Sequence, residues 1–245
     1  IVDLFESQET PDTYDEASDR LKYWYKKEQY NELANLKNII NETLPPNSKY
    51  LRFFLTAFSN ILKPTSVWLT KSIKPQVDPD KVPANVIDSF KHQCRIMFKA
   101  NEEIEYPQSS STTIRTNNFL NSGCRPPQVD MVITSPPYVT SYEYADLHQL
   151  STLWLDFVED YRDLREGSIG SCYHDDNFIP EFNNLNRTGS EIVTKLLQQY
   201  KSKARSVAKY FSDMQEVSKK VYDMLTPNGI ALFVIGNTEY KGVKI

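Results

Sequence analysis

Glycine is scarce in this sequence, with seven residues in 245, where average usage would supply roughly 17. A glycine-rich cofactor loop is therefore hard to place anywhere in it. Cysteine is nearly as sparse. Cys94, Cys124 and Cys172 are odd in number and widely scattered. Neither a disulfide framework nor a zinc spacing emerges, and a reducing cytoplasm is the expected compartment. There is no signal peptide and no apolar run near the ~20 residues of a membrane span, so no membrane partner is expected. Phosphate-binding Walker loops, nucleophile elbows and internal repeats are also absent. The N-terminus, Ile1-Val2-Asp3-Leu4-Phe5, lacks a Met and reads as a cut or processed end.

Charge is modest but unevenly spread. The net charge of −4 gives no wholesale nucleic-acid coat. From Ser48 to Val77 there is no acid, while Lys49, Arg52, Lys63, Lys71 and Lys74 are present. From Ile192 to Ser212 the same holds, with Lys195, Lys201, Lys203, Arg205 and Lys209. The stretch from Glu143 to Glu166 is acidic instead. Two basic stretches on a mildly acidic chain suit either a local phosphate track or ordinary solvated helix faces.

Periodicity predicts a helix over about Asp12 to Glu42, stopped by Pro45-Pro46. A second helix is expected over about Ser48 to Leu62. Ser66 to Thr70 reads as a short strand, and the stretch from Ile73 to the third proline, Pro83, as a connector. A helix is predicted over about Ala84 to Lys99, then a polar loop from Asn101 to Thr113. Trp24, Trp68 and Trp154 read as core. Val129-Asp130-Met131-Val132-Ile133-Thr134 is nearly continuous in apolar residues. Such a run predicts a central parallel strand covered on both faces. A long helix is expected from about Gly189 to Leu225, ended by Pro227-Asn228-Gly229 with Gly229 in a left-handed backbone. A buried strand is expected next, Ile230 to Ile235. Strand, helix, turn and strand imply an α/β fold with a mostly parallel sheet. Residues 1–111 form a mainly helical region and 112–245 the α/β part.

The first strand ends in Thr134-Ser135-Pro136-Pro137-Tyr138. Ligands of open α/β sheets bind beyond the carboxyl ends of strands. Two prolines fix φ and remove two N–H donors, so the loop is stiff and rich in acceptors. Ser135 adds a hydroxyl and Tyr138 a flat face. An exocyclic base amine is a poor nucleophile, because its lone pair is delocalised into the ring. Two acceptors gripping its hydrogens, the Ser135 side chain and the Pro136 carbonyl, would favour the pyramidal form. Tyr138 would stack on a base rotated out of the helix. Transfer to such an amine needs alignment more than an acid or base of special pKa.

The run Asp130 to Tyr138 resembles the catalytic motif of the SAM-dependent N4-cytosine/N6-adenine DNA methyltransferases. Leu225 to Gly236, Gly236-Asn237-Thr238 and Lys241 to Ile245 are similar to the segments downstream of that motif in the family, so the resemblance covers about residues 112 to 245. It implies a Rossmann-like sheet, incomplete here, S-adenosyl-L-methionine as methyl donor and double-stranded DNA as partner. It assigns catalysis to Ser135, Pro136, Pro137 and Tyr138, with Thr134, Tyr142 and Tyr144 as substrate-binding candidates. Ser135 resembles the cytosine N4 branch; adenine N6 is the alternative. A methyltransferase of RNA or of a protein amide stays open, as does a non-catalytic DNA-recognition or assembly fragment. The region before residue 112 is expected to help clasp DNA through its acid-free stretch.

The family's glycine-rich SAM loop is missing. Ile1 to Phe5 resembles its approach, but Glu6-Ser7-Gln8 stands where glycines are needed. A missing SAM-binding segment or subunit is therefore an expected partner. His92 with Cys94, and Cys172 with His174, are weak metal candidates without a second pair nearby. His148 either faces the site or is an ordinary helix histidine. Tyr142 and Tyr144 either extend the stacking wall or join the core.

Overall fold

The computed structural model describes residues 1–72, 74–105, 110–121, 123, 127–139, 143–171 and 178–245. They fall into two compact units, one of Ile1–Ser111 with Asp146–Tyr161, the other of Thr112–Ala145 with Arg162–Ile245. The segment Asp146–Tyr161 thus groups with the N-terminal unit, although its place in the sequence puts it with the α/β part. No described helix is long and apolar enough to cross a membrane.

In the first unit, the single helix expected over 12–42 is three pieces. These are a 3₁₀ turn at Tyr14–Glu16, α2 (Asp19–Trp24) and α3 (Lys27–Thr43), preceded by α1 (Val2–Ser7). Ser18 caps α2 by accepting the Leu21 N–H, as short polar side chains do at helix starts. The break comes where Tyr25 turns extended. Consecutive helical residues point about 100° apart, so a continuous helix could not easily bury both Trp24 and Tyr25. With the break both are buried, and the Tyr25 hydroxyl donates to the Leu62 carbonyl at 2.9 Å. Along α3, Leu33, Leu36 and Ile40 repeat at helical spacing and are fully buried. Ser48 caps α4 (Lys49–Ile61) and Asn85 caps α5 (Val86–Glu103).

The strand expected at Ser66–Thr70 is instead one isolated bridge between Trp68 and Val77. Trp68 stacks on Trp24, ring centres 4.6 Å apart. The prolines at 75, 79 and 83 leave little room for a ladder. The unit closes on the part of α6 (Tyr144–Trp154) from Asp146 onward. Its fully buried Gln149 accepts from Trp24 Nε1 at 2.8 Å and Arg20 Nε at 2.6 Å, so this core amide is satisfied.

In the second unit, β1 (Val129–Thr134) pairs in parallel with β2 (Leu225–Phe233). The connection between them includes α7 (Phe178–Asn183), α8 (Arg187–Leu197) and α9 (Lys201–Met224). The one long helix expected from Gly189 is split, because Tyr200 leaves helical geometry and sets its ring edge-on to Tyr240 at 5.3 Å. Val193, Leu196, Ala204, Val207 and Ala208 make the core of this unit together with Val139.

The strands and their turn depart from expectation in two ways. β1 is not covered on both faces by the described residues: Met131 is 55% exposed, Ile133 66%, Ile230 59% and Leu232 52%. On the opposite side Val132, Thr134 and Phe233 are half-buried. The left-handed residue of the turn is Asn228 (φ 71), not Gly229; Asn tolerates that region through local hydrogen bonding. Gly229 serves close packing instead, since a Cβ there would lie 3.0 Å from the Thr226 carbonyl and 3.2 Å from that of Asp130. The pairing register jumps between Val129 and Met131, and the Thr226 hydroxyl ties the looped-out segment to Asp130 Oδ1 at 2.7 Å. The chain ends in a hairpin of β3 (Glu239–Tyr240) and β4 (Val243–Lys244). Lys241 and Gly242 turn it with positive φ at both positions, as two-residue hairpins require.

Candidate active site

The Ser-Pro-Pro-Tyr loop leaves the carboxyl end of β1 and is held at both ends. At the near end the Thr134 carbonyl accepts the Val234 N–H at 2.9 Å, and the Ser135 hydroxyl donates to the Val234 carbonyl at 3.1 Å. At the far end Val139 is buried in the unit's core. Pro136 is buried between these anchors, while Ser135 is exposed. Pro136 and Pro137 carry no N–H, so the next donor is that of Tyr138, which reaches the Tyr144 hydroxyl at 3.4 Å.

Two glycines let the loop pack closely. Gly170 has a positive φ, and a Cβ on it would stand 3.2 Å from the Tyr138 carbonyl, 3.6 Å from Pro137 and 3.7 Å from Tyr210. Gly236, just past β2, lies against the Tyr138 ring. Burial, and then the neighbouring Tyr144, push the Tyr210 phenol above its ordinary pKa, so it stays protonated at neutral pH. Glu143 accepts from the Ser171 hydroxyl at 3.0 Å.

A hydroxyl has one hydrogen and two lone pairs. With its hydrogen committed to Val234, Ser135 offers only lone pairs to a ligand. Among the described residues nothing donates to the Pro136 carbonyl. The loop thus presents two acceptors and a flat ring, with no histidine or carboxylate in it. Such a set suits a neutral amine or amide NH₂ on a planar group.

Thr134, Ser135, Pro136, Pro137, Tyr138 and Tyr144 come together in the second unit. Tyr142, Cys172 and His174 lie outside the described residues. His148 is exposed on α6 in the part that belongs to the first unit. His92 and Cys94 sit on α5, where burial raises the Cys94 thiol to about 11. No cluster of metal-ligating residues occurs among the described residues. None of the described glycines stands in a loop leading from a strand into a helix, so these residues do not suit a glycine cradle for a nucleoside cofactor. Val234, Gly170 and Tyr210 join the site without a motif to announce them. Their part depends on pairing across the sheet and fold.

Fold and loop define an α/β protein whose candidate site opens from the carboxyl end of a parallel strand. Along nearly its whole length the chain is similar to the Type II methyltransferase M.MvaI of Kocuria varians, at 26% identity over 249 residues, covering 93% of this chain and 54% of that protein. The chain therefore spans about half the length of that relative. No family model matches the sequence, and no solved structure matches it.

Proposed function

We propose that this chain is the target-base half of a site-specific DNA methyltransferase of a restriction-modification system. It would hold the exocyclic amine of a base flipped out of double-stranded DNA, cytosine N4 in preference to adenine N6. The observation that carries the reading is the Ser135–Val234 hydrogen bond. It turns the Ser135 oxygen into a pure acceptor beside the Pro136 carbonyl. Two acceptors on one NH₂ draw its hydrogens out of the ring plane and free the nitrogen lone pair. Tyr138 supplies the stacking face, a contact that suits any base because every base has a π surface. Thr134 and Tyr144 complete the base-binding wall, and Tyr142 is a further candidate from the sequence alone. Pro137 stiffens the loop so that the amine is aligned before reaction.

S-adenosyl-L-methionine, when bound, supplies an electrophilic methyl group. Its cradle is assigned to a further segment or a partner subunit, because the glycines here lack that placement. The likeness to a Type II methyltransferase supports the reaction class, and a Rossmann-like sheet is the architecture that suits it. Compartment follows the substrate: a DNA-modifying enzyme of this kind works in the cytoplasm.

Nucleoside mass spectrometry on DNA from cells expressing the complete gene tests this, beside a Tyr138→Ala strain. N4-methylcytosine that vanishes in the variant is the expected result. N6-methyladenine would correct the base and keep the loop. Neither base, from a soluble protein, would overturn the reading in favour of RNA or protein-amide methylation or a non-catalytic role.

A further inference from the structure

The first unit holds a cavity of about 510 Å³ between α3, α4 and the turn after α6. This volume lies within the usual range for a small organic ligand. Arg52, Thr56 and Asn60 line one side at four-residue spacing, which sets them on one face of α4. Lys37 and Asn41 do the same from α3, and Leu55 and Leu155 add apolar lining.

The turn that edges this cavity is unusual. The Phe157 N–H bonds to the Thr152 carbonyl at 2.9 Å, and the Asp156 N–H to that of Leu153 at 3.3 Å. Those bonds define a Schellman end to α6, in which the left-handed residue is normally glycine and the next is normally packed on the helix. Here Asp156 takes the left-handed position (φ 56), and Phe157 is 69% exposed. Asp156 has a reason to be there, because its carboxylate pairs with Lys37 at 2.5 Å. The pairing neutralises Lys37. Arg52 has no carboxylate partner among the described residues and donates to the Asn47 carbonyl at 2.8 Å, leaving other guanidinium N–H groups unused. The pocket thus combines one uncompensated positive charge, an aromatic face turned to solvent, and the two side-chain amides of Asn41 and Asn60.

We propose that this pocket takes one unstacked nucleotide of DNA, its base on the Phe157 ring, its polar edge toward Asn41 and Asn60, and its phosphodiester on Arg52. The inference rests on the DNA-methyltransferase reading for the choice of polymer. The chemistry selects the nucleotide. A phosphodiester carries one negative charge and matches one free guanidinium. An amide both donates and accepts, as a base edge requires, and an exposed ring stacks on any base. A fully paired duplex offers phosphates outside and no base face, so it would leave Phe157 unused.

The test is a titration of the full chain with oligonucleotides carrying a fluorescent purine analogue. The probes are a duplex with the analogue in a one-base bulge, the same duplex fully paired, and single strands of DNA and RNA. The bulged duplex should bind about tenfold more tightly than the paired one, and Phe157→Ala should abolish that difference. Phe157→Tyr should restore it. Arg52→Gln should weaken binding and flatten its salt dependence by about one phosphate contact. Phe157 is exposed, so its replacement leaves the core intact. Equal affinity for bulged and paired duplexes overturns the proposal. So does a bulge preference lost in Tyr138→Ala but kept in Phe157→Ala, because the base would then sit at the Ser-Pro-Pro-Tyr loop. Tighter binding of RNA overturns the choice of DNA. A Phe157-dependent bulge preference in a protein that leaves no methylated base in cells would sink the enzyme reading while upholding the pocket.

Discussion

The two units spend their apolar residues differently. In the first, Trp24, Leu33, Leu36, Ile40, Phe58 and Trp68 are buried within the unit itself. Gln149 pairs with Trp24 and Arg20 there, while the buried Trp68 Nε1 and Asn35 Nδ2 have no hydrogen-bond partner among the described residues. In the second, the helices pack on Val193, Leu196 and Ala204, but one face of the β1–β2 pair leaves Met131, Ile133, Ile230 and Leu232 in solvent. The first unit therefore draws its stability from its own contacts. The second places its candidate site at the end of strands whose apolar side the described residues do not use. Exposed apolar patches of this kind commonly mark an interaction surface.

Substitutions on the two sides should separate these cases sharply. Trp24→Ala removes a fully buried ring, its stacking on Trp68 and its bond to Gln149. It should cost about 3–5 kcal/mol, read as a shift in the urea midpoint. Ile133→Thr and Leu232→Thr on the open sheet face should cost less than about 0.5 kcal/mol. A loss of several kcal/mol there would show that something covers the face in solution, and the contrast between the units would fail. Next in size is the site itself. Ser135→Ala deletes the acceptor but only an exposed hydrogen bond. With the complete gene product, methyl transfer should fall about a hundredfold while the urea midpoint stays put. An unchanged rate would remove Ser135 from the proposed machinery.

Much of this organisation was legible from local pattern. The strand at 129–134 and its abrupt end at two prolines follow from residue order alone. So do α4 between its Ser48 cap and Leu62, and the burial of the three tryptophans. The features that local pattern missed depend on tertiary partners. Two neighbouring aromatics ended α2 because both had burial sites waiting, Tyr25 beneath Leu62 and Trp24 beside Trp68. Trp68 was pulled into that stack, leaving a bridge in place of a strand. The open face of β1 could not be read, because an apolar run specifies what a strand tolerates and not what covers it. In the site, Ser135, Pro136 and Tyr138 stood out by type. The Ser135 partner Val234 is 99 residues away and chemically ordinary, so only the parallel register reveals it.

A pair of glycines refines the comparison within the second unit. Gly170 and Gly242 both have positive φ, but a Cβ meets the Tyr138 carbonyl at the first and nothing within 4 Å at the second. Both changes to Ala should cost about 1 kcal/mol in backbone strain. Only Gly170→Ala should also displace the loop and lower methyl transfer. If both variants lose activity alike, the loop is sensitive to general stability and not to this contact.

The smallest effect lies in the first unit, at Cys94. Burial raises its thiol to about 11 in the folded chain, against about 8.5 for a free cysteine. The sign follows from proton counts. Between those values the folded state keeps a proton that the unfolded state has lost, so stability falls as pH rises. The contribution is complete below about pH 8.5 and gone above about 11. Because the thiolate is the reactive form, Cys94 should be alkylated slowly at pH 8 in the folded protein and quickly in urea, as read by peptide mass mapping. Cys94→Ser should flatten the slope of stability against pH in that window without touching the second unit. Rapid alkylation under native conditions would mean that the packing around α5 opens easily, and the self-contained character assigned to the first unit would not hold at that edge.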